Sequence, residues 1–452
     1  MELFIMTKEE KRAKRKKDRG IVDFLMIQNH FFKDFGKWIE EMSDPRNQSY
    51  TTYKQTDFVY MGILKNVCSI ESMRQMEEKF NETVCVETLR LLSGNKKLEE
   101  MPHYDTLNYY LERLQPECLS ELRKKMVSAL IRGKQFYRNR LLGKYWRVIL
   151  DGTGVASFSE RHCENCLYDT RVYKDGRKVS VYQHKLVEAK LVLGDKLIVS
   201  LGTEFIENEK PDISKQDCET KAAKRLLERI KKEYPRLELC IQGDALYATE
   251  PMMRLCRKNG WKYLFSHKEK QQRIAAEEYA ALTPEDKKKV SGIGKEKGTG
   301  HYYNHVEELA GKREKINVYE YNYRKTVKGK EIPVHFQWIT NIELTENNLE
   351  EMVNTARGRW KIENEGFNNQ KNGLYAIQHL NSRNSNAMKN HYLLTQIADI
   401  LMQLYLLWNP VLKELKESIK NTSSRLLESF RRQTITDEDV SHIRRYTTIY
   451  LE

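Results

Sequence analysis

Residues 145–154 read YWRVILDGTG. The apolar, partly β-branched run from Trp146 to Leu150 predicts a short buried strand, and Asp151 followed by Gly152 predicts that the strand ends there in a glycine turn. Upstream, residues 21–140 read as mostly helical, with apolar positions three and four apart in SIESMRQMEEKF and CLSELRKKMVSALIRGKQFYRNRLL. Between them Pro102 breaks the pattern and Asp105 is the expected N-cap of the next helix. Downstream, KLVEAKLVL and LIVSLGTEFI predict a hairpin around Gly194, Asp195 and Lys196. A helix (CETKAAKRLLERIKKEY) follows, then a second buried strand (LELCIQG) that delivers Asp244 at its end. TEPMMRLCRKNG predicts a helix with Thr249 near its N-cap, Pro251 in its first turn and Gly260 just past its C-terminus. WKYLF is a further strand.

From about 268 to 345 this alternation is interrupted by a polar helix and a hairpin, VYEYNYRKTV and PVHFQWITNI, turning at KGKE. A helix starting near Asn348 is expected to run on through RGRWKIENEGFNNQK. The order describes an α/β domain with an inserted β-rich unit. The layout is a basic arm (1–20), a helical region (21–140), a first core part (141–267), the insertion (268–345), a second core part (346–410) and a helical C-terminal region (411–452).

A chain of 452 residues, 40% hydrophobic, can bury a large core. The longest apolar stretch, LLTQIADILMQLYLLW at 393–408, is shorter than the roughly 20 residues a bilayer requires and contains Gln396, Asp399 and Gln403, so a buried helix is expected and no membrane partner. No secretory signal is apparent, and eight cysteines fit a reduced cytoplasm without disulfides. The net charge of +14, part of it in KRAKRKK at 11–17, favours a polyanionic partner, most simply nucleic acid.

Asp151 and Asp244 each follow an apolar strand directly, where ligands bind in open α/β sheets. With a glutamate from a later helix they would supply hard oxygen ligands for Mg²⁺. VILDGTGV, LCIQGDALYA and WITNIELTENNLEEMVNTARGRWKIENEGFNNQK together resemble the three catalytic segments of DDE transposases of bacterial insertion sequences. The resemblance covers roughly residues 100–410. It implies an RNase H-like mixed five-stranded sheet flanked by helices, a β-strand insertion before the last carboxylate, and Asp151, Asp244 and Glu363 as ligands of two Mg²⁺ (or Mn²⁺) ions. The long interval from Asp244 to Glu363 matches such an insertion.

The same resemblance implies a tyrosine, arginine, glutamate and lysine on the last helix. Arg359 precedes Glu363 by four residues, so on a continuous helix advancing about 100° per residue the two share a face and Glu365 points away. Ala356 stands at the tyrosine position. The lysine position falls on Gln370, with Lys371 one step later and off the axis. Arg359 and Lys371 are the expected phosphate contacts. An aromatic of the insertion, Trp338, is the expected holder of a flipped base, against the ordinary role of a strand aromatic in a core. DNA at the terminal inverted repeats and at the target, and a homodimer in the synaptic complex, are the implied partners.

Outside these segments, HCENC offers His162, Cys163 and Cys166, with His184 on a following strand, as candidate ligands of a structural Zn²⁺; a second C-x-x-C is absent. Two other functions compete. DGTG and GDALYA also suit an aspartyl-phosphate hydrolase, which leaves the segment from Arg359 to Lys371 unexplained. A transposase-derived DNA-binding protein without cleavage activity would not need all three carboxylates.

Overall fold

The strand announced by YWRVILDGTG is longer than its apolar run: β1 spans Trp146–Phe158, and Asp151 lies inside it. The continuation is held by pairing. β3 (Lys178–Gly194) runs antiparallel to β1 out to Phe158 opposite Tyr182, with a bulge between Gly154 and Ala156. Thr153 and Val155 keep the alternate burial of a strand. The expected turn at Asp151 and Gly152 is therefore absent.

The structure, a computed structural model, describes residues 7, 9–10, 13, 19–161, 163–173, 175–210, 213, 215–268, 273–307, 315–360, 370–371, 373–415 and 417–444. The expected hairpin is present as β3 and β4 (Leu197–Ile206). An additional short strand, β2 (Leu167–Val172), pairs with the first residues of β3, and its one buried position gives no periodic signal. β5 (Leu239–Gly243) and β6 (Lys262–Ser266) continue the sheet parallel to β1. The five strands lie in the order β4-β3-β1-β5-β6, and only β3 runs against the others.

The β-rich insertion is not a separate sheet. β10 (Lys330–Thr340) pairs antiparallel with β6, Trp338 opposite Ser266, so β9 (Lys315–Val327), β8 (Gly298–Glu307) and β7 (Lys288–Ile293) extend the same sheet. The turn at KGKE is a two-residue hairpin in which Lys328 and Gly329 both take positive φ, the conformation tight hairpins need.

The helices pack around these strands. In chain order they are α1 (Ile21–Phe31), α2 (Phe35–Glu40), α3 (Gln55–Val67), α4 (Met73–Phe80), α5 (Thr83–Ser93), α6 (Tyr104–Arg113) and α7 (Pro116–Arg132), then α8 (Glu219–Glu233), α9 (Glu250–Lys258), α10 (Arg273–Ala281), α11 (Leu349–Arg357), α12 (Ser385–Trp408), α13 (Pro410–Leu415), α14 (Ile419–Arg432) and α15 (Asp437–Arg444). The cap of α6 is His103, whose ring accepts from Asp105 N, in place of the expected Asp105. α9 has Thr249 before it, Pro251 in its first turn and Gly260 at φ +72 beyond it, as its sequence predicts.

The apolar stretch 393–408 lies in α12, which is buried between the N-terminal helices and the sheet. Among the described residues no helix is long and apolar enough to cross a membrane. Asn390 Nδ2 donates to the C-terminal carbonyls of α6 and its following residue, Leu111 at 2.8 Å and Leu114 at 2.7 Å. Gly62 of α3 lets Leu394 approach so closely that a Cβ there would lie 2.8 Å from it. Residues 21–140 and the C-terminal helices therefore share one apolar core with β1, β3 and β4.

Candidate active site

β1 and β5 run parallel with Ile149 opposite Gln242. Advancing this register by two residues sets Asp151 beside Asp244, on strands about 4.8 Å apart. Side chains two apart on a strand share a face, so Asp151 faces the side that Gln242 faces, and Asp244 follows directly on the end of β5. That side is occupied by α11: Gln242 Nε2 donates to Thr355 O at 3.4 Å. Both carboxylates are half-buried. Asp151 Oδ1 accepts from Gly152 N at 3.0 Å, and Asp244 Oδ1 accepts from Leu246 N at 2.8 Å, which orients each carboxylate from its own chain.

α11 carries the chain toward the third expected carboxylate but does not continue as one helix. It ends at Arg357; Gly358 N reaches Thr355 O at 3.1 Å and Arg359 N reaches Ala356 O at 3.2 Å, i to i−3 bonds that tighten the last turn. Glycine, the weakest helix former after proline, stands at this interruption, but its φ of −67 stays right-handed and Trp360 is again helical. Arg359 sits in this turn, half-buried, and Trp360 comes next, 48% exposed. The expected shared face of Arg359 and Glu363 needs a helix through 357–363, which this turn interrupts at 358–359 and of which residues 361–363 lie outside the described residues. Glu363 and Glu365 lie outside the described residues.

The end of α11 is tied to the insertion. Arg357 forms a two-pronged ion pair with Glu296 at 2.7 and 3.0 Å and lies over the rings of Tyr321 and Tyr323 at 5.3 and 5.1 Å. The Arg357 hydrogen bonds hold the Glu296 carboxyl down at about 2. Ala356, at the position where the resemblance expects tyrosine, is buried in the insertion's apolar cluster.

Three groups near the aspartates carry no signal in the sequence. Glu219, the first residue of α8, places its carboxylate where a side chain at 152 would project: a Cβ on Gly152 would lie 2.9 Å from Oε1 and closer still to the rest of the group. Glu219 is therefore on the sheet face opposite Asp151. Its Oε1 accepts from the hydroxyl of Tyr247 at 2.7 Å. Tyr247 is fully buried, its ring against Gly243, where a Cβ would lie 2.6 Å from Cδ2. Burial, then Glu219, then the charges of Asp151 and Asp244 push the Tyr247 phenol far above its ordinary value, so it stays a proton donor.

The third group is Glu188, directly across β3 from Asp151 and fully buried. It accepts from Ser200, from Thr203 Oγ1 at 2.8 Å and from Tyr392 OH at 3.1 Å, while Arg123 donates to both hydroxyls. This network locks the strand behind Asp151 to α7 and α12.

Gln370 is buried and bonded to Gln396 and to Asp399, at 2.9 Å from the latter; Lys371 beside it is half-buried. Trp338 is 3% exposed, stacked 5.5 Å from Phe336 and 5.2 Å from Tyr319 in the insertion core. It thus sits in the ordinary place of a strand aromatic, in a core. Cys163, Cys166 and His184 come together beside the last residues of β1, His184 opposite Ala156, whereas His162 lies outside the described residues.

Residues 142–398, more than half of the chain, match the family model of the transposase DDE domain. No curated protein matches the chain.

Proposed function

The chain belongs to the transposase DDE-domain family, and from that premise we propose that it cuts and rejoins DNA at the terminal inverted repeats of an insertion sequence, with Asp151, Asp244 and Glu363 as its catalytic carboxylates. The observation that carries this reading is the parallel register that sets Asp151 and Asp244 side by side on the face to which α11 leads. The strand order β4-β3-β1-β5-β6, with β3 alone reversed, supports an RNase H-like core. Asp151 also lies within a strand that runs on to Phe158, unlike a nucleophile at a strand-to-loop junction, which counts against the aspartyl-phosphate alternative.

Two adjacent half-buried carboxylates form a hard, all-oxygen donor set that fits Mg²⁺ or Mn²⁺. Two such ions would activate the attacking oxygen and stabilise the leaving one. The residues of the chain supply the rest. Asp151 on β1 and Asp244 just after β5 would hold the ions together with Glu363. Arg359, with Lys371, binds the phosphate flanking the cut. Water attacks the phosphodiester, the phosphorus–oxygen bond to the 3′ oxygen breaks, and the freed 3′-OH attacks a second phosphodiester. The helical region 21–140 and the basic arm bind the element's ends, and two chains act together as a dimer on two ends.

The test uses the cognate ends in Mg²⁺. Asp151→Asn, Asp244→Asn and Glu363→Gln each abolish nicking and retain the gel shift, because end recognition and metal holding rest on different residues. Glu219→Gln keeps most of the activity, since its carboxylate is on the other face. Cleavage at the wild-type rate by any of the first three variants overturns the triad. A wild-type chain that binds ends and never cuts them supports the non-cleaving alternative.

A further inference from the structure

We propose that Cys163, Cys166 and His184 hold a structural Zn²⁺ that seals the seam between β2 and β4. This inference does not depend on the catalytic reading. Among the described residues these three are the one set of metal-capable side chains whose ligand atoms all gather within 4.8 Å. The Cys163 and Cys166 sulfurs lie 3.2 Å apart, and His184 Nε2 lies 3.3 and 3.5 Å from them. Two thiolates and an imidazole are the donors zinc prefers. With zinc–sulfur bonds of about 2.3 Å a tetrahedral site spaces its sulfurs about 3.8 Å apart, so the pair needs to part by only about 0.6 Å. Cys163 is half-buried and has room to give, while Cys166 and His184 are buried and fixed. A disulfide would need the sulfurs about 2.05 Å apart.

The position explains what the metal does. β2 pairs with β3 up to Leu167 opposite Gln183, and β4 pairs with the same edge from Ile206 opposite Lys185. His184 is the β3 residue between the two pairings, and Cys166 immediately precedes β2. Among the described residues no ladder joins the two strands that abut here. Asn208, just past β4, already bridges the gap: its Nδ2 donates to Cys166 O at 3.1 Å, and its backbone carbonyl accepts from Asn165 Nδ2 at 3.0 Å. Zinc adds a bond from the turn at 163–166 to the floor of the seam and so anchors both the β2–β3 hairpin and the far end of the strand that carries Asp151.

The full chain, purified under reducing conditions without added metal, is predicted to contain about one zinc. Exchange for cobalt should give the ligand-field bands of a tetrahedral site together with sulfur-to-cobalt charge transfer. Cys163→His keeps a ligand and should retain the tetrahedral bands with weaker charge transfer; Cys166→Ser should lose the metal. Chelation should accelerate amide exchange in Leu167–Val172 more than in β5. A folded wild-type chain with reduced thiols that takes up neither zinc nor cobalt overturns the proposal, as does a Cys163–Cys166 disulfide found by mass spectrometry.

Discussion

Gly152→Ala tests the contact behind Asp151 most directly. The new methyl would occupy the space held by the Glu219 carboxylate, with Oε1 at 2.9 Å and the remaining atoms nearer. Glu219 is the end of a flexible side chain and can withdraw, but only by abandoning the Tyr247 hydroxyl, which it binds at 2.7 Å. Tyr247 is fully buried, so its hydroxyl would be left without that acceptor. Losing a charge-assisted hydrogen bond of this kind costs about 1.5–3 kcal/mol. Alanine offsets roughly 0.5–1 kcal/mol of this, because glycine within a strand carries an entropic penalty. The net expectation is a destabilisation of about 1–2 kcal/mol. In a Glu219→Ala background the clash is gone and the hydroxyl has already lost its partner, so the same substitution should stabilise by roughly 0.5–1 kcal/mol. Urea midpoints of the wild type, the two single variants and the double variant close the cycle. An equal cost of Gly152→Ala in both backgrounds would refute the contact and, with it, the account of why glycine stands after Asp151.

Two further expectations concern α11 and the core around Gln370. Glu296 is held down to about 2 by Arg357, so its contribution is fully present above its ordinary value near 4.5 and lost as the pH falls toward 2. Screening at this partly exposed pair limits it to about 1 kcal/mol, and Arg357→Ala should remove that pH-dependent part from melting curves taken between pH 5 and 2.5; an unchanged slope would count against the pair. Gln370→Lys should destabilise the chain by about 3 kcal/mol or more, because it adds an ammonium to a core that already encloses Lys190; a variant as stable as wild type in urea would show that this core is wetter than its burial implies.

Signals that act over a few residues were legible in the sequence. Thr249, Pro251 and Gly260 delimit α9, alternation and a short turn define β3 and β4, and apolar runs lead to both aspartates. What could not be read depends on partners far along the chain. β1 continues past Asp151 because β3 pairs with it, and the glycine at 152 serves the close approach of Glu219, a residue on a later helix, instead of a turn. β2 exists because β3 offers it an edge, and its own sequence shows no stripe. The helix expected through 348–371 is interrupted by a tight turn at Gly358 and Arg359, a local breaker whose effect the amphipathic pattern of its surroundings concealed, and its residues 361–369 lie outside the described residues.

The buried charge on β3 shows why an amide stands at position 370. Lys190 is fully buried in a strand that reads as apolar; its ammonium reaches Gln396 Oε1 at 2.5 Å and stands 4.0 Å from Asp399. Gln370 joins the same group, receiving from Gln396 Nε2 at 3.1 Å and donating to Asp399, which is also bonded by Gln403. An amide suits this position because it gives and accepts at once, so every neighbour keeps a partner. A lysine there could only donate, and it would have to share with Lys190 an Asp399 whose carboxyl burial already pushes upward. Position 370 is committed to the core, while Lys371 beside it is half-buried. The polar core beneath α12 is thus a consequence of enclosing Lys190.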